Sequence, residues 1–346
     1  MTATRTPLRD DPRVDPRLVA AVEPFGLADP LPPSALDGSA PLEVIRSVLA
    51  KLEAGSAPMI ATATEGLPPV DGVARSTEVL TGGDGHDITL HLHRPAAADG
   101  PVPGVLHLHG GGGVMMAAAD PNYVRWRDEL AALGLVVVGV EFRNGAGRLG
   151  PHPFPAGLDD CADALAWVEG RRGELGIRTL VVSGDSGGAN LALATALRAK
   201  RDGTLDRIDG VYAMCPYISG AYADPPADLP SLVDNDGILV SVALMGAMAK
   251  AYTPDAGDAR NPLAWPYHAT ADDLAGLPPH VISVNELDPL RDEGLAHYRH
   301  LLAAGVAARA RTVNGTFHAA ETGHFAAIPD VARSTLADVA AFAGSL

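Results

Sequence analysis

Hydrophobic and polar positions follow two different patterns, which meet near residue 73. Residues 1–72 are rich in Pro, Ala and Asp and contain two short helical patterns, DPRLVAAVEPF and PLEVIRSVLAKLEAG. The apolar side chains on one face of the second helix are Leu42, Ile45, Val48, Leu49 and Leu52. Proline-bearing joints follow each pattern, so 1–72 is predicted to be an N-terminal helical segment outside any sheet.

Downstream of residue 73, apolar β-branched runs alternate with helical stretches. VARSTEVL and HDITLHLHRP predict an antiparallel strand pair, with the turn signal GGDG between them. Six further strands are predicted at VPGVLHLH, LVVVGVEF, TLVVSG, IDGVYAMC, PPHVISVN and AARARTV. Continuous apolar strands separated by helices are typical of a mostly parallel sheet covered by helices on both faces. The pattern therefore predicts an α/β fold with eight strands in residues 73–346.

The interval between IDGVYAMC and PPHVISVN is too long for a single crossover connection, since it exceeds sixty residues. It contains a helix-like apolar run and many prolines. We predict that about residues 217–268 form an inserted lid. Met245 and Met248 in this segment are predicted to pack its helix, with lining of a substrate pocket as the alternative.

The most specific local motif is GDSGG, Gly184 to Gly188, which stands between the strand TLVVS and a helix predicted to begin near Asn190. A G-x-S-x-G motif in a strand–turn–helix context is typical of a nucleophile elbow, in which a sharp turn exposes the serine hydroxyl. The helix N-terminus supplies N–H groups and partial positive charge near a developing oxyanion. Ser186 is therefore the predicted nucleophile. The competing interpretation is a glycine-rich turn that only happens to hold a serine.

A second glycine motif, HGGGG from His109 to Gly113, follows the strand VPGVLHLH. Acyl transfer requires backbone N–H donors aimed at one oxygen, and consecutive glycines allow that close approach. A phosphate-binding loop is the alternative. Neither GxxxxGK[ST] nor GxGxxG with its acidic partner is present, which favours the oxyanion interpretation.

A carboxylate follows the strand PPHVISVN, within NELDPLRDEG. Asp288 is the predicted acid because it lies at the turn before Pro289, where it could reach an imidazole serving the serine. Glu286 and Asp292 are the alternatives, with expected roles in loop hydrogen bonds or helix N-terminal charge. The chain order of serine, acid and histidine is that of the α/β hydrolases.

Two histidines compete for the role of base in NGTFHAAETGHFA, residues 314–326. The last strand ends at Val313 and Asn314-Gly315 is a turn signal, so His318 lies on the loop directly beyond the strand. That loop emerges at the sheet edge where the serine and the acid are expected. His324 lies near the entrance to the C-terminal helix, where packing or hydrogen bonding is expected. His318 is the predicted base.

These motifs together resemble the bacterial hormone-sensitive-lipase-like esterases, within the branch that includes brefeldin A esterase. The blocks that carry the resemblance are HGGGG, PHPFPAGLDDCADALAWV, GDSGGANLA, NPLAWP and ELDPLRDEG, and GTFHA matches the family's G-x-x-H-[GA] block. Five blocks in the family's order make the match specific. It covers about residues 73–346, preceded by a segment that fits a cap.

The resemblance implies an α/β-hydrolase fold with serine carboxylesterase activity and a cap built from residues 1–72 and the inserted lid. It implies oxyanion donors from the backbone N–H groups of Gly111, Gly112 and Gly187. Many relatives have Ala at position 187, and the change is expected to be harmless because only the N–H is used. Relatives often carry an aromatic residue at the position of Gly113, so its loss is expected to widen the pocket or loosen the loop.

The sequence is acidic, with a net charge of −16, which would repel nucleic acids and anionic membranes. No run of 18 apolar residues predicts a transmembrane span, and the charged N-terminus lacks the apolar core of a signal peptide. The expected location is cytoplasmic and the expected partner is a small-molecule ester. The oligomeric state is left open, a homodimer included.

No cofactor or metal is predicted. Cys161 and Cys215 imply no disulfide framework or thiolate metal site and are expected to pack. Four histidines share strand faces in pairs, His91 with His93 and His107 with His109. Since no third ligand has recognisable spacing and HExxH is absent, structural roles are expected, with His109 ordering the glycine loop.

The predicted reaction is hydrolysis of short- to medium-chain carboxylic esters through an acyl-enzyme. A lactonase, carbamate hydrolase or amide hydrolase on the same fold is the alternative, because the same three residues would serve it. A non-catalytic small-molecule binding protein on this fold is the remaining hypothesis. It is disfavoured because serine, acid and histidine are all present.

Overall fold

The structure is a computed structural model that describes residues 6–346 except positions 30, 32, 33, 35, 98 and 99. Parts of the predicted N-terminal segment, residues 1–5, 30, 32, 33 and 35, therefore lie outside the described residues. No helix in the described part of the chain is long and apolar enough to cross a lipid bilayer.

One eight-stranded sheet forms the centre of the molecule, in the order β1-β2-β4-β3-β5-β6-β7-β8. The strands are β1 Val73–Thr81, β2 Asp87–Pro95, β3 Val102–Leu108, β4 Val136–Glu141, β5 Ile177–Asp185, β6 Gly210–Met214, β7 His280–Asn285 and β8 Ala308–Val313. β2 pairs antiparallel with β1 and β4, and all other neighbours are parallel. The predicted eight-stranded, mostly parallel α/β fold is confirmed.

Twelve α-helices are present in the described residues. They are α1 Pro16–Val22, α2 Leu42–Thr62, α3 Pro121–Ala132, α4 Ala156–Glu169, α5 Arg172–Leu175, α6 Gly187–Arg201, α7 Ser231–Asp234, α8 Val242–Tyr252, α9 Ala271–Leu274, α10 Arg291–Ala303, α11 Ala320–Gly323 and α12 Pro329–Gly344. Short 3₁₀ helices occur at Leu8–Asp10, Glu23–Phe25, Leu205–Arg207, Ala256–Asp258 and Pro266–His268.

Helices cover both faces of the sheet because the central strands are apolar on both sides. In β3, Leu106 packs on the face covered by α4, α6 and α10, whereas Val105 packs on the face covered by α3 and α12. In β5, Val182 packs on the same face as Leu106, and Val181 packs on the same face as Val105. This alternation follows from the two-residue period of a strand. It explains why these strands read as continuous hydrophobic runs.

The N-terminal helices contact two different parts of the molecule. α2 packs against the inserted segment, where Ile45 and Leu49 join a buried cluster with Met245 and Tyr252 of α8. α1 instead packs below the loops that follow β7 and β8. There, Leu18 and Val22 of α1 share a cluster with a further set of buried side chains, Leu287, Phe317, Ala320 and Ile328. α2 therefore supports the inserted segment, and α1 supports the loops that follow β7 and β8.

Candidate active site

Ser186 occupies a strained turn between β5 and α6. Its φ of 54° and ψ of −118° lie in a region that a non-glycine residue rarely adopts. Close packing on both sides requires glycine, since a Cβ on Gly184 or Gly188 would lie within 2.5 Å of backbone atoms. α6 begins at Gly187, three residues before the predicted start near Asn190. The serine therefore stands directly at the helix N-terminus.

His318 lies on the loop beyond β8 and connects Ser186 to Asp288. With its Nδ1–H donating to Asp288 Oδ2 at 2.8 Å, its Nε2 can accept from the Ser186 hydroxyl at 2.9 Å. Asp288 is fully buried, and Ser186 and His318 are 8% and 9% exposed. The three predicted residues, brought from the ends of β5, β7 and β8, thus form one hydrogen-bonded chain.

The other two carboxylates near Asp288 have separate partners. Glu286 Oε2 accepts from the backbone N–H of Gly315 at 2.8 Å, and Asp292 Oδ2 accepts from the backbone N–H of Ser231 at 2.8 Å. Asp288 itself is held by the backbone N–H of Leu290, which donates to its Oδ1 at 2.9 Å. The remaining oxygen, Oδ2, is the one that orients the imidazole.

The environment of His318 stabilises its charged form. Burial alone would oppose the imidazolium, but the Asp288 carboxylate outweighs it and raises the pKa of His318 well above its ordinary value. Cys215 lies beside the pair, with its Sγ within 4.8 Å of the nearest ring nitrogen and carboxylate oxygen. Burial raises the pKa of this thiol to about 11, so it is neutral there. The sequence predicted that Cys215 packs, but it did not predict that Cys215 lies beside His318 and Asp288.

The glycine loop after β3 lies against the start of α6. Gly111, Gly112 and Gly113 have φ values of 97°, 64° and 67°, which glycine adopts without strain. Within the described residues, nothing accepts from the N–H groups of Gly111 and Gly112. The N–H of Gly187, at the first position of α6, has no intrahelical acceptor. Three backbone donors are thus available beside Ser186.

His109 anchors the base of this loop. Its Nδ1 is 2.8 Å from the carbonyl oxygen of Gly110, and its ring stacks on Phe142 with centroids 4.0 Å apart. Burial lowers the pKa of His109 to about 4, so the ring is neutral and Nδ1–H donates to the carbonyl. Tyr123 adds a second anchor, because its hydroxyl oxygen accepts from the N–H of Gly110 at 2.9 Å.

The other paired histidines have protein partners or lie buried in the sheet. His93 Nδ1 is 2.8 Å from Asp128, and Arg127 donates to its Nε2 at 3.0 Å. Burial lowers the pKa of His107 well below its ordinary value. Over the described ranges, the only grouping of three potential metal ligands is Cys215 with Asp288 and His318, two of which already bond to each other.

A cavity of about 320 Å³ lies above Ser186 and His318. The N-terminal helices and the inserted segment supply much of its apolar lining, namely Leu27, Leu52, Met59, Ile60, Leu239, Val240, Leu244 and Met248. The two methionines of α8 differ. Met245 is buried in the cluster between α2 and α8, whereas Met248 lines the cavity above Gly112. Met248 is partly buried and also packs against the cluster that holds Met245, so it both packs and lines the cavity.

The space beside Gly113 is occupied by a ring from the lid. A Cβ built on Gly113 would lie 3.0 Å from Tyr252, the last residue of α8. Tyr252 packs edge-on against Trp265 with ring centroids 5.5 Å apart. An aromatic side chain at position 113 would collide with this ring, so the glycine and Tyr252 fit each other.

His324 does not contact Ser186 but borders the same cavity. Its ring stands edge-on to Phe317, with centroids 5.2 Å apart. Burial lowers the pKa of His324 to about 4, which keeps the ring neutral. Of the two candidate histidines, only His318 lies within hydrogen-bond distance of the serine.

Asp185 and Asn122 also border the cavity. Asp185 is the variable position of the G-x-S-x-G motif, to which the sequence assigned no role, and Asn122 lies in no motif. Asp185 directly precedes Ser186, and burial raises its pKa to about 6. Asn122 lies at the start of α3. No sequence pattern singles out Asn122.

Comparison with known proteins places these features among esterases. A family described as having the alpha/beta hydrolase fold matches residues 105–322. A carboxylesterase of Mycobacterium tuberculosis, NlhH, is 32% identical over 301 residues, covering 85% of each chain. Esterase LipI of the same organism is 32% identical, covering 70% of this chain and 72% of its own.

Solved structures show the same relationship over almost the whole chain. Brefeldin A esterase, described as a bacterial homologue of human hormone-sensitive lipase, superposes with a TM-score of 0.95 and 44% identity. The match covers 98% of this chain and 96% of that one. The esterase Est22 superposes with a TM-score of 0.86 and 37% identity, covering 98% and 99%.

Proposed function

The chain belongs to the hormone-sensitive-lipase-like carboxylesterases of the α/β-hydrolase fold, and we propose that it hydrolyses short- to medium-chain carboxylic esters with Ser186, His318 and Asp288. The observation that carries the proposal is the continuous hydrogen-bonded chain from Asp288 through His318 to the Ser186 hydroxyl. That chain ends at the floor of a cavity beside three unused backbone donors.

In the proposed reaction, His318 Nε2 takes the proton of Ser186 as Oγ attacks the ester carbonyl carbon. The N–H groups of Gly111, Gly112 and Gly187 donate to the oxyanion that forms. The imidazolium, stabilised by Asp288, then gives its proton to the leaving alcohol oxygen, and the C–O bond breaks to leave an acyl-enzyme. Water, deprotonated by His318, attacks the acyl-enzyme and releases the acid.

The size and lining of the cavity support the preference for shorter esters. Its volume of about 320 Å³ lies at the small end of the range for ligand pockets. α2 and α8 close over it, and Met248 lies directly above Gly112. A long acyl or alcohol chain would have to displace this cap. The same nucleophile could attack a lactone, carbamate or amide, so these substrates belong in the test.

The test is a substrate panel with three variants. Wild-type protein should hydrolyse p-nitrophenyl esters with acyl chains of two to eight carbons faster than longer ones, and faster than lactones, carbamates or anilides. Ser186→Ala should lower kcat by roughly 10³-fold or more. Ser345→Ala, which removes a hydroxyl from the C-terminal helix end, and His300→Ala, on the exposed part of α10, should retain full activity. Retained activity in Ser186→Ala would refute the proposal.

A further inference from the structure

One part of the active-site cavity is polar although most of the cavity is lined by apolar side chains. It consists of Asn122, Asp185, Thr322 and His324, all of which border the cavity and are at most 4% exposed. We call these four residues the polar wall. The mechanism described above assigns no role to any of them.

The polar wall is assembled from three separate elements, and hydrogen bonds fix Asp185 at its centre. The Thr322 hydroxyl of α11 donates to Asp185 Oδ2 at 3.2 Å, and the Tyr123 hydroxyl of α3 donates to the same oxygen at 3.4 Å. Asn122 precedes Tyr123 in the chain, and His324 ends the short helix that carries Thr322. The polar wall therefore lies where β5, α3 and α11 meet.

Two members of the wall hold buried polar atoms with no protein partner in the described part of the chain. Neither Asn122 Oδ1 nor Asp185 Oδ1 has a hydrogen-bond partner in the described part of the chain. The His324 ring also borders the cavity, where it packs edge-on against Phe317. Buried polar groups are nearly always paired, and leaving one unpaired is costly. Unpaired groups that border a cavity can instead be satisfied by what the cavity binds.

The chemistry of the wall selects a neutral group that both donates and accepts. His324 is neutral because burial lowers its pKa to about 4, so its ring offers one N–H donor and one acceptor nitrogen. The Asn122 carboxamide likewise offers both functions. No Lys or Arg occurs among the described residues that line the cavity. An anionic group would therefore lack a counter-charge and would lie near Asp185.

We propose that the polar wall binds a hydroxyl group on the alcohol part of the ester, so that the enzyme prefers hydroxylated esters to hydrocarbon esters of equal length. The inference rests on the proposed function and names its substrate class. The alcohol side follows from the mechanism, because His318 must lie next to the leaving oxygen to protonate it. The chain that continues from His318 carries Thr322 and His324 into the wall.

The test compares esters matched in length, one member of each pair having a terminal hydroxyl in place of a methyl group. Suitable pairs are 3-hydroxypropyl acetate with butyl acetate, and 4-hydroxybutyl acetate with pentyl acetate, followed by acid release in a pH-stat. Wild-type kcat/KM should favour the hydroxylated member of at least one pair about tenfold, the value of one well-formed hydrogen bond. The difference should appear mainly in KM.

Variants of the wall provide the second part of the test. Asn122→Leu and His324→Leu should each bring the hydroxyl-to-hydrocarbon ratio of kcat/KM close to one. Leu244→Ala, which alters the apolar lining, should preserve the wild-type ratio whatever its effect on the absolute rates. Because each variant is judged by the ratio of its own two rates, partial loss of folded protein does not affect the result.

The outcomes separate this inference from the proposed function. If neither member of a pair is hydrolysed, the proposed function fails. If both are hydrolysed with equal kcat/KM, the inference is overturned and the proposed function stands. A preference that appears only when the hydroxyl is on the acyl chain, or that survives both Leu substitutions, also overturns it.

Discussion

Replacing Glu293 with glutamine should remove a loss of stability that the wild-type chain suffers as pH rises. Glu293 lies on α10, five residues after Asp288, and is 1% exposed. Its Oε1 accepts from the Ile218 N–H at 2.6 Å and from the Tyr222 hydroxyl at 2.9 Å, and its Oε2 accepts from the Ser219 hydroxyl at 2.6 Å. It thus ties the helix behind the acid to the start of the lid.

The magnitude follows from the protonation of this carboxyl. Burial raises the pKa of Glu293 to about 7, from 4.5 in the unfolded chain. The folded state therefore holds the proton where the unfolded state has lost it, and stability falls as pH rises through this window. The difference between 7 and 4.5 is worth about 3 kcal/mol at most. Between pH 5 and pH 8.5 it amounts to about 2–3 kcal/mol, because the unfolded carboxyl is already partly ionised at pH 5.

Urea unfolding at pH 5 and pH 8.5, followed by tryptophan fluorescence, measures the effect. A glutamine retains the acceptor for Ile218 and Tyr222 and can donate to Ser219, but it cannot ionise. Relative to wild type, Glu293→Gln should gain about 2–3 kcal/mol of unfolding free energy on going from pH 5 to pH 8.5. Glu78→Gln, on the exposed face of β1, should show no such gain. An equal wild-type-to-variant difference at both pH values would refute the reasoning.

Three further predictions test the site and the cap. Glycine and alanine were expected to be equivalent at position 187, but a Cβ there would lie 2.5 Å from the backbone nitrogen of Gly112. Gly187→Ala should therefore displace the donor loop and lower kcat roughly tenfold to a hundredfold; an unchanged kcat on p-nitrophenyl butyrate would contradict this. Since Asp288 raises the pKa of His318 and the base must be neutral, kcat/KM should fall with decreasing pH from a point above pH 6.5. A profile that stays flat down to pH 5 would count against it. Leu49→Ala should destabilise the protein by about 2–4 kcal/mol in urea unfolding, because this side chain of α2 is fully buried against the lid. A loss below about 1 kcal/mol would be inconsistent with that packing.

The centre of the sheet could be predicted from sequence because its strands β3 to β7 are largely buried on both faces. TLVVSG and LVVVGVEF each hold consecutive apolar residues, LVV in the first and LVVVGV in the second, and the turn signals between elements are strong. Helix boundaries were harder to predict. α6 starts at Gly187 because the helix must begin at the serine turn, although glycines disfavour helices. α2 continues through Pro58 to Thr62, seven residues beyond its predicted pattern.

The cavity could not be predicted because its lining comes from distant parts of the chain. Leu52, Asn122 and Leu244 have no common motif, and only the packing of α2, α3 and α8 above the sheet brings them together. The approach of Cys215 to His318 likewise depends on how β6 lies beside β7. The roles of Ser186, Asp288 and His318 were predictable because each follows a strand end, and parallel strands end at one edge of the sheet.

Covalent labelling of the nucleophile tests the central claim most directly. The wild-type protein should be treated with diethyl p-nitrophenyl phosphate, and the labelled protein analysed by intact mass and peptide mapping. We expect one diethylphosphoryl group per chain, on Ser186, with esterase activity lost in proportion to labelling. His318→Ala should label far more slowly, because the base that activates the hydroxyl is missing. Labelling of a different residue, or full activity after Ser186 has been labelled, would contradict the account.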